Sequence, residues 1–140
     1  MSVFGIGIDL LSSERVARLY SSYGARLLRK VLSPRELALL EREESPVRRI
    51  GFVAKRFSAK EALLKALGIG LGRGIGLTDV SVLGGSLGQP TIEVSEAAKM
   101  FLQKFYGLQD RALVFSLSIS DEGSLVSAVV VISTEAARDF

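Results

Sequence analysis

Apolar and polar positions alternate at the front of the chain. Phe4, Ile6, Ile8 and Leu10 are separated by Gly5, Gly7 and Asp9, so Val3 to Leu11 is predicted as a strand. One of its faces is apolar, and the other carries two glycines followed by a carboxylate. Glycine inside a strand costs stability and often marks close approach of another backbone or a ligand. Asp9 falls at the strand end, before Ser12 and Ser13, where capping a helix is the simple use for it. The period then lengthens. Val16, Leu19, Tyr20 and Tyr23 predict a helix over Ser13 to Tyr23 with those four as its buried stripe. Ser33-Pro34-Arg35-Glu36 is a capping box with Pro at the first helical position, opening a second helix from Pro34 to about Glu43 that buries Leu37 and Leu40.

The chain is organised around the next helix, Val47 to Gly68. Ser45 and Pro46 supply its start, and Gly68 supplies a stop because glycine takes the left-handed conformation at no side-chain cost. Ile50, Val53, Ala54, Phe57, Leu64 and Leu67 form one face of a 3.6-residue period. Where that face calls for an apolar residue, near position 60 or 61, the chain has Lys60 and Glu61. A carboxylate on a buried face needs a cation, donors or a metal. An ion pair with Lys65 at a solvated edge would also account for Glu61.

After this helix, Gly68 to Gly76 reads GIGLGRGIG. It matches neither the dinucleotide fingerprint nor a P-loop, and it is equally a flexible surface loop or a set of bare N–H groups beside Arg73 that could meet phosphates. Asp79 to Val94 is predicted as a hairpin turning at Gly84 to Gly88. Ser95 to Tyr106 is a helix burying Ala98, Phe101, Leu102 and Phe105. Ala112 to Ile119 and Leu125 to Ile132 pair as a second hairpin about Asp121-Glu122-Gly123, and Thr134 to Phe140 read as a fraying tail. No repeat or linker interrupts the 140 residues. The reading is one α+β domain over 1–140, an antiparallel sheet packed by helices.

Composition narrows the chemistry. The chain has no Cys and no His, which excludes disulfides, thiolate nucleophiles, Ser-His-Asp triads and the usual zinc sites. Catalysis must use carboxylates, Lys, Arg, hydroxyls or a metal held by oxygen. Net charge is +3, too small to argue for nucleic acid, and no aromatic run stands among the basic residues. The cations are unevenly placed: Arg15, Arg18, Arg26, Arg29 and Lys30 fall together, which is either a solubilising face or a docking surface for an acidic partner helix. No apolar run reaches membrane-spanning length. Met1 leads almost directly into a strand, so no presequence is expected and cytoplasm is the expected compartment, with an organelle matrix as the alternative if a leader has been removed.

Three stretches together, GIGIDLLSSERV, KRFSAKEALLKALG and SLSIS, resemble the holo-acyl-carrier-protein synthase type of 4'-phosphopantetheinyl transferase over nearly the whole chain. The Lys-Glu-Ala helix ending in Lys-Ala-x-Gly is the specific motif. The resemblance implies the 4'-phosphopantetheinyl transferase-like fold. It implies a magnesium-dependent enzyme that moves 4'-phosphopantetheine from coenzyme A to a serine of apo acyl carrier protein, releases adenosine 3',5'-bisphosphate and supports fatty acid biosynthesis. By position in the motifs, Asp9 and Glu61 are the implied magnesium carboxylates, and Lys65 joins them in catalysis. Arg56 and Lys65 are implied contacts to the coenzyme A phosphates, and the loop with Gly68, Gly70, Gly72 and Arg73 borders the nucleotide from across the boundary of a homotrimer. Arg15, Arg18 and Arg26 are the expected carrier-protein face; neither nucleic acid nor membrane is expected as a partner.

The residues agree on their own terms. Magnesium takes hard oxygen ligands, one or two carboxylates plus phosphate and water, and phosphoryl transfer depends on positioning and charge rather than on a covalent protein nucleophile. One position departs from the family pattern: Ser118-Ile119-Ser120 is followed by Asp121, where many relatives carry His. Asp121 is read as starting a turn in preference to joining the metal shell through water. The general base is left between Glu61 and a metal-bound water. The alternative reading is a non-catalytic carrier-protein or nucleotide-binding module on the same fold, which would have no use for both Asp9 and Glu61.

Overall fold

In the computed structural model, which describes residues 2–136, the first strand and the long helix meet backbone to backbone. The strand is β1 (Ser2–Ser12). It leads into α1 (Ser13–Tyr23), α2 (Ala25–Val31), α3 (Pro34–Leu40) and the long helix α4 (Pro46–Leu67). A single 3-10 turn at Leu77–Asp79 precedes β2 (Val80–Gly84), β3 (Pro90–Val94), α5 (Glu96–Tyr106), β4 (Arg111–Glu122) and β5 (Leu125–Ala136). The larger sheet is antiparallel in the order β1-β5-β4, and β2-β3 form a separate two-stranded sheet.

The glycines explain the close approach. A Cβ on Gly7 would stand 2.0 Å from the Ala62 carbonyl oxygen, and one on Gly5 would stand 2.0 Å from that of Ala66. No side chain fits there, so the Gly5-Gly7-Asp9 face of β1 lies on α4. Ala62 and Leu63 of α4 and Ala128, Val130 and Ile132 of β5 are sealed in the same layer. A second cluster joins Leu11, Val16, Val31 and Leu40 to Val53 and Ala54 at the front of α4. The apolar face of β1 points the other way, with Ile6, Ile8 and Leu10 between 60% and 68% exposed.

Several expectations are corrected. A glycine in the left-handed half of the map, Gly24 at φ 52°, ends α1 and starts α2, so Arg26, Arg29 and Lys30 ride on a helix of their own. Only Val16 of the α1 stripe is buried, and Tyr23 is exposed. The α3 helix stops at Leu40. Phe105 of α5 is exposed; it stacks on Phe101 and meets Tyr106 edge to face. On α4 the sealed polar residues are Ser58 and Lys60, and Glu61 is half-buried. The last hairpin runs longer than its apolar core: Asp121 pairs with Val126 inside the sheet, Gly123 takes the left-handed turn conformation, and Thr134 is a buried strand residue opposite Ser2. The rest of the expected tail, 137–140, lies outside the described residues.

Candidate active site

The centre of the site is where β1 crosses α4; Asp9 lies inside the strand, not at its end as expected, and Ser12 caps α1 in its place. Asp9 is delivered there by the strand, opposite Ala128 of β5. Its Oδ1 is 3.3 Å from Lys65 Nζ, and its Oδ2 is buried with no hydrogen-bond partner. Lys65 also donates to the Ile8 carbonyl at 3.0 Å. It therefore crosses to the strand instead of closing an i,i+4 pair with Glu61, and Glu61 has no ion pair among the described residues. Burial first, and then the charge of Asp9, pushes the Glu61 carboxyl above its ordinary value; Lys65 and Arg15 act the other way.

Two carboxylates repel across this point, and one buried oxygen has nothing to bind. A divalent cation with oxygen ligands fits that arrangement. No cluster of three or more His, Cys, Asp or Glu is assembled among the described residues. A metal held here would rest on Asp9 and Glu61 and would need phosphate and water for the rest of its shell, as magnesium usually does.

Arg56 sits five residues before Glu61, about 7.5 Å along the helix axis. It faces a surface groove of about 620 Å3. Its guanidinium lies 3.3 Å over the Phe52 ring and donates to the Phe52 carbonyl at 3.4 Å. Burial lowers its pKa, against the opposing pull of Glu36. Arg48, Phe52 and Lys55 line the same groove, and none of these three was singled out in the sequence. The signal was there, since positions 48, 52 and 55 to 56 recur at helical spacing beside the apolar stripe. Asp121 is in this groove as well, 3.6 Å from Lys55.

Of the expected site residues only Arg56 lines this groove; Asp9, Glu61 and Lys65 lie outside its lining. Gly68 is the left-handed cap of α4 at φ 72°, and the loop with Gly70, Gly72 and Arg73 is exposed beyond that end. None of the four lines the groove within this chain. Arg15 and Arg18 are exposed on α1. Arg26 flanks an apolar hollow of about 450 Å3 between α1 and α2, with Leu19, Tyr23 and Leu27 in its walls and Arg29 and Lys30 at its rim. That hollow was not foreseen because it depends on the break at Gly24.

The chain resembles known proteins in both sequence and fold. Residues 5–125 match the family described as the 4'-phosphopantetheinyl transferase superfamily. A holo-[acyl-carrier-protein] synthase of Azorhizobium caulinodans is 38% identical over 135 residues, covering 95% of both chains. The crystal structure of the Neisseria meningitidis holo-[acyl-carrier-protein] synthase superposes with TM-score 0.82 at 31% identity, over 94% of this chain and 99% of that one. The Helicobacter pylori enzyme in complex with coenzyme A superposes with TM-score 0.72 at 28% identity, over 91% and 99%. The chain belongs to the 4'-phosphopantetheinyl transferase superfamily. Within it the chain stands with the holo-[acyl-carrier-protein] synthases, which are phosphopantetheinyl transferases and enzymes.

Proposed function

We propose that this protein transfers 4'-phosphopantetheine from coenzyme A to a serine of apo acyl carrier protein, in a magnesium-dependent reaction. The observation that carries the reading is the buried, unpartnered Asp9 oxygen beside Glu61 and Lys65. The serine hydroxyl oxygen bonds to the phosphorus that bears pantetheine. The pyrophosphate P–O bond breaks, and adenosine 3',5'-bisphosphate leaves. Asp9 and Glu61 would hold the magnesium ion, which supplies positive charge at the pyrophosphate when bound. Glu61 accepts the serine proton. Lys65 stands beside both carboxylates and offsets charge on the leaving group. Arg56, with Arg48 and Lys55, holds coenzyme A phosphates in the groove, and Phe52 gives the groove an apolar wall.

The carrier protein docks on the cations of α1 and α2. Arg15 and Arg18 meet acidic residues, and the hollow beside Arg26 receives an apolar side chain. The exposed Ile6, Ile8 and Leu10 are covered by other copies in a homotrimer, which supports placing Gly68, Gly70, Gly72 and Arg73 at a neighbour's nucleotide. No helix among the described residues is long and apolar enough to cross a membrane. The proposal includes a cytoplasmic setting, with fatty acid biosynthesis as the user of the product. The test is the intact mass of apo acyl carrier protein after incubation with this protein, coenzyme A and magnesium. A gain of one phosphopantetheine, lost with chelator, is expected. No gain on any of several carriers would favour a binding module.

A further inference from the structure

Glu36 is fully buried, and the site described above does not use it. It closes the capping box of α3, with Oε1 accepting from the Ser33 backbone N–H at 2.8 Å. The same oxygen accepts from Lys60 Nζ at 2.5 Å, and Lys60 also donates to the Val31 carbonyl at 2.6 Å. Oε2 accepts from the Val82 N–H at 3.0 Å and lies 3.5 Å from Arg56 Nε. The start of α3, the middle of α4 and β2 therefore converge on one carboxylate, and Lys60 ties the end of α2 to it.

Its two cations come from one helix, four residues apart, and differ in what they can reach. Lys60 is wholly enclosed; Arg56 passes Glu36 and ends in the groove, stacked on Phe52. One carboxylate against two cations leaves one net positive charge. Lys60 takes the closer contact with Glu36, so the surplus lies on the cation that meets the groove. Burial opposes the charged form of both cations and Glu36 counters it in both. A capping Glu in an ordinary helix needs neither cation, since the capping box is complete without them.

We propose that Glu36 is a positioning residue for coenzyme A binding: it aims the Arg56 guanidinium across the groove, while Lys60 absorbs its charge and leaves that of Arg56 for a phosphate. This rests on the reading that the groove takes coenzyme A. A carboxylate that only fastened α3 to α4 would lower stability when changed, but its effect on ligand affinity would be independent of Arg56.

A double-mutant cycle separates the two roles, with coenzyme A binding measured by calorimetry below the melting range. Glu36→Gln is expected to weaken binding about tenfold, within the usual coupling of contacting residues. Arg56→Gln should weaken it at least as much, and the double variant no further than Arg56→Gln alone. Additive losses would overturn the proposal. Absence of binding by the unaltered protein would overturn the reading of the groove, and this inference with it. If Glu36→Gln does not fold, the unaltered protein decides the matter through its 15N-edited arginine spectrum. Before coenzyme A is added, the Arg56 Nε–H signal is expected to exchange slowly with solvent, unlike that of exposed Arg73. Equally fast exchange at both would refute a guanidinium held in place in advance.

Discussion

Gly7→Ala tests the contact that puts Asp9 over α4. The added Cβ would lie 2.0 Å from the Ala62 carbonyl oxygen and 2.6 Å from the Ala66 nitrogen, whereas ordinary contact begins at 3.4 Å. Both neighbours are helix backbone, so neither can rotate away. Moving from 2.0 to 3.4 Å parts strand from helix by about 1.4 Å. Overpacking of a tight core costs about 1–3 kcal/mol, and a backbone clash belongs at the upper end. At roughly 3–4 °C per kcal/mol for a domain of this size, the melting point should fall by about 10 °C. Transfer should fall further than stability, because a displacement of about 1 Å at a reacting centre can cost roughly 10²-fold, and Asp9 is two residues away on the same strand. Gly51→Ala is the control for stability. It lies in the same helix with open space around its added Cβ and should raise the melting point slightly, since Ala exceeds Gly by about 1 kcal/mol in a helix interior. Calorimetric melting and single-turnover transfer read the two effects. A Gly7→Ala protein that melts within about 2 °C of the parent and transfers normally would refute the packing argument.

Three further outcomes follow from other parts of the molecule. Lys60→Ala strips the closest partner from a buried carboxylate and should cost about 3–5 kcal/mol in denaturant unfolding; a loss below about 1 kcal/mol would show that Arg56 alone satisfies Glu36. Arg15→Glu with Arg18→Glu should weaken carrier-protein binding by tenfold or more, roughly 1.4 kcal/mol, and leave coenzyme A binding unchanged; equal loss of both in calorimetry would point to misfolding or to a different surface. Ile8→Asp, in the middle of the exposed apolar face, should shift the species seen by light scattering from trimer to monomer, and an unaltered trimer would place the interface elsewhere.

The strands and helices were legible where a periodic pattern met a stop or start signal. Ser45-Pro46 and Gly68 bracket α4 as expected, and the Ser33 capping box opens α3. Glu61 stood out in the sequence as a carboxylate interrupting the apolar face of α4, and Asp9 as the carboxylate that follows two glycines on the polar face of β1. What periodicity could not reveal was which face of β1 is buried. The apolar side is the exposed one, because the glycines permit an approach that no apolar side chain would allow. The role of Lys60 was hidden for a related reason. Its partner Glu36 lies 24 residues earlier and is brought in by a turn between helices, so local spacing around Glu61 pointed to Lys65 instead. The strand that holds Asp121 extends past its last apolar residue, and pairing with Val126 settles its place where propensity favoured a turn.

The central claim is that Asp9 and Glu61 form one site for transfer. Glu61→Gln keeps the shape of the side chain and removes its charge and its proton acceptor. Single-turnover conversion of apo acyl carrier protein, followed by intact mass with saturating coenzyme A and magnesium, measures the consequence directly. A fall of about 10²–10³-fold or more, the scale of losing a charge-stabilising or proton-accepting group, with an unchanged melting point, is the result expected. Transfer within a few-fold of the parent would contradict the assignment.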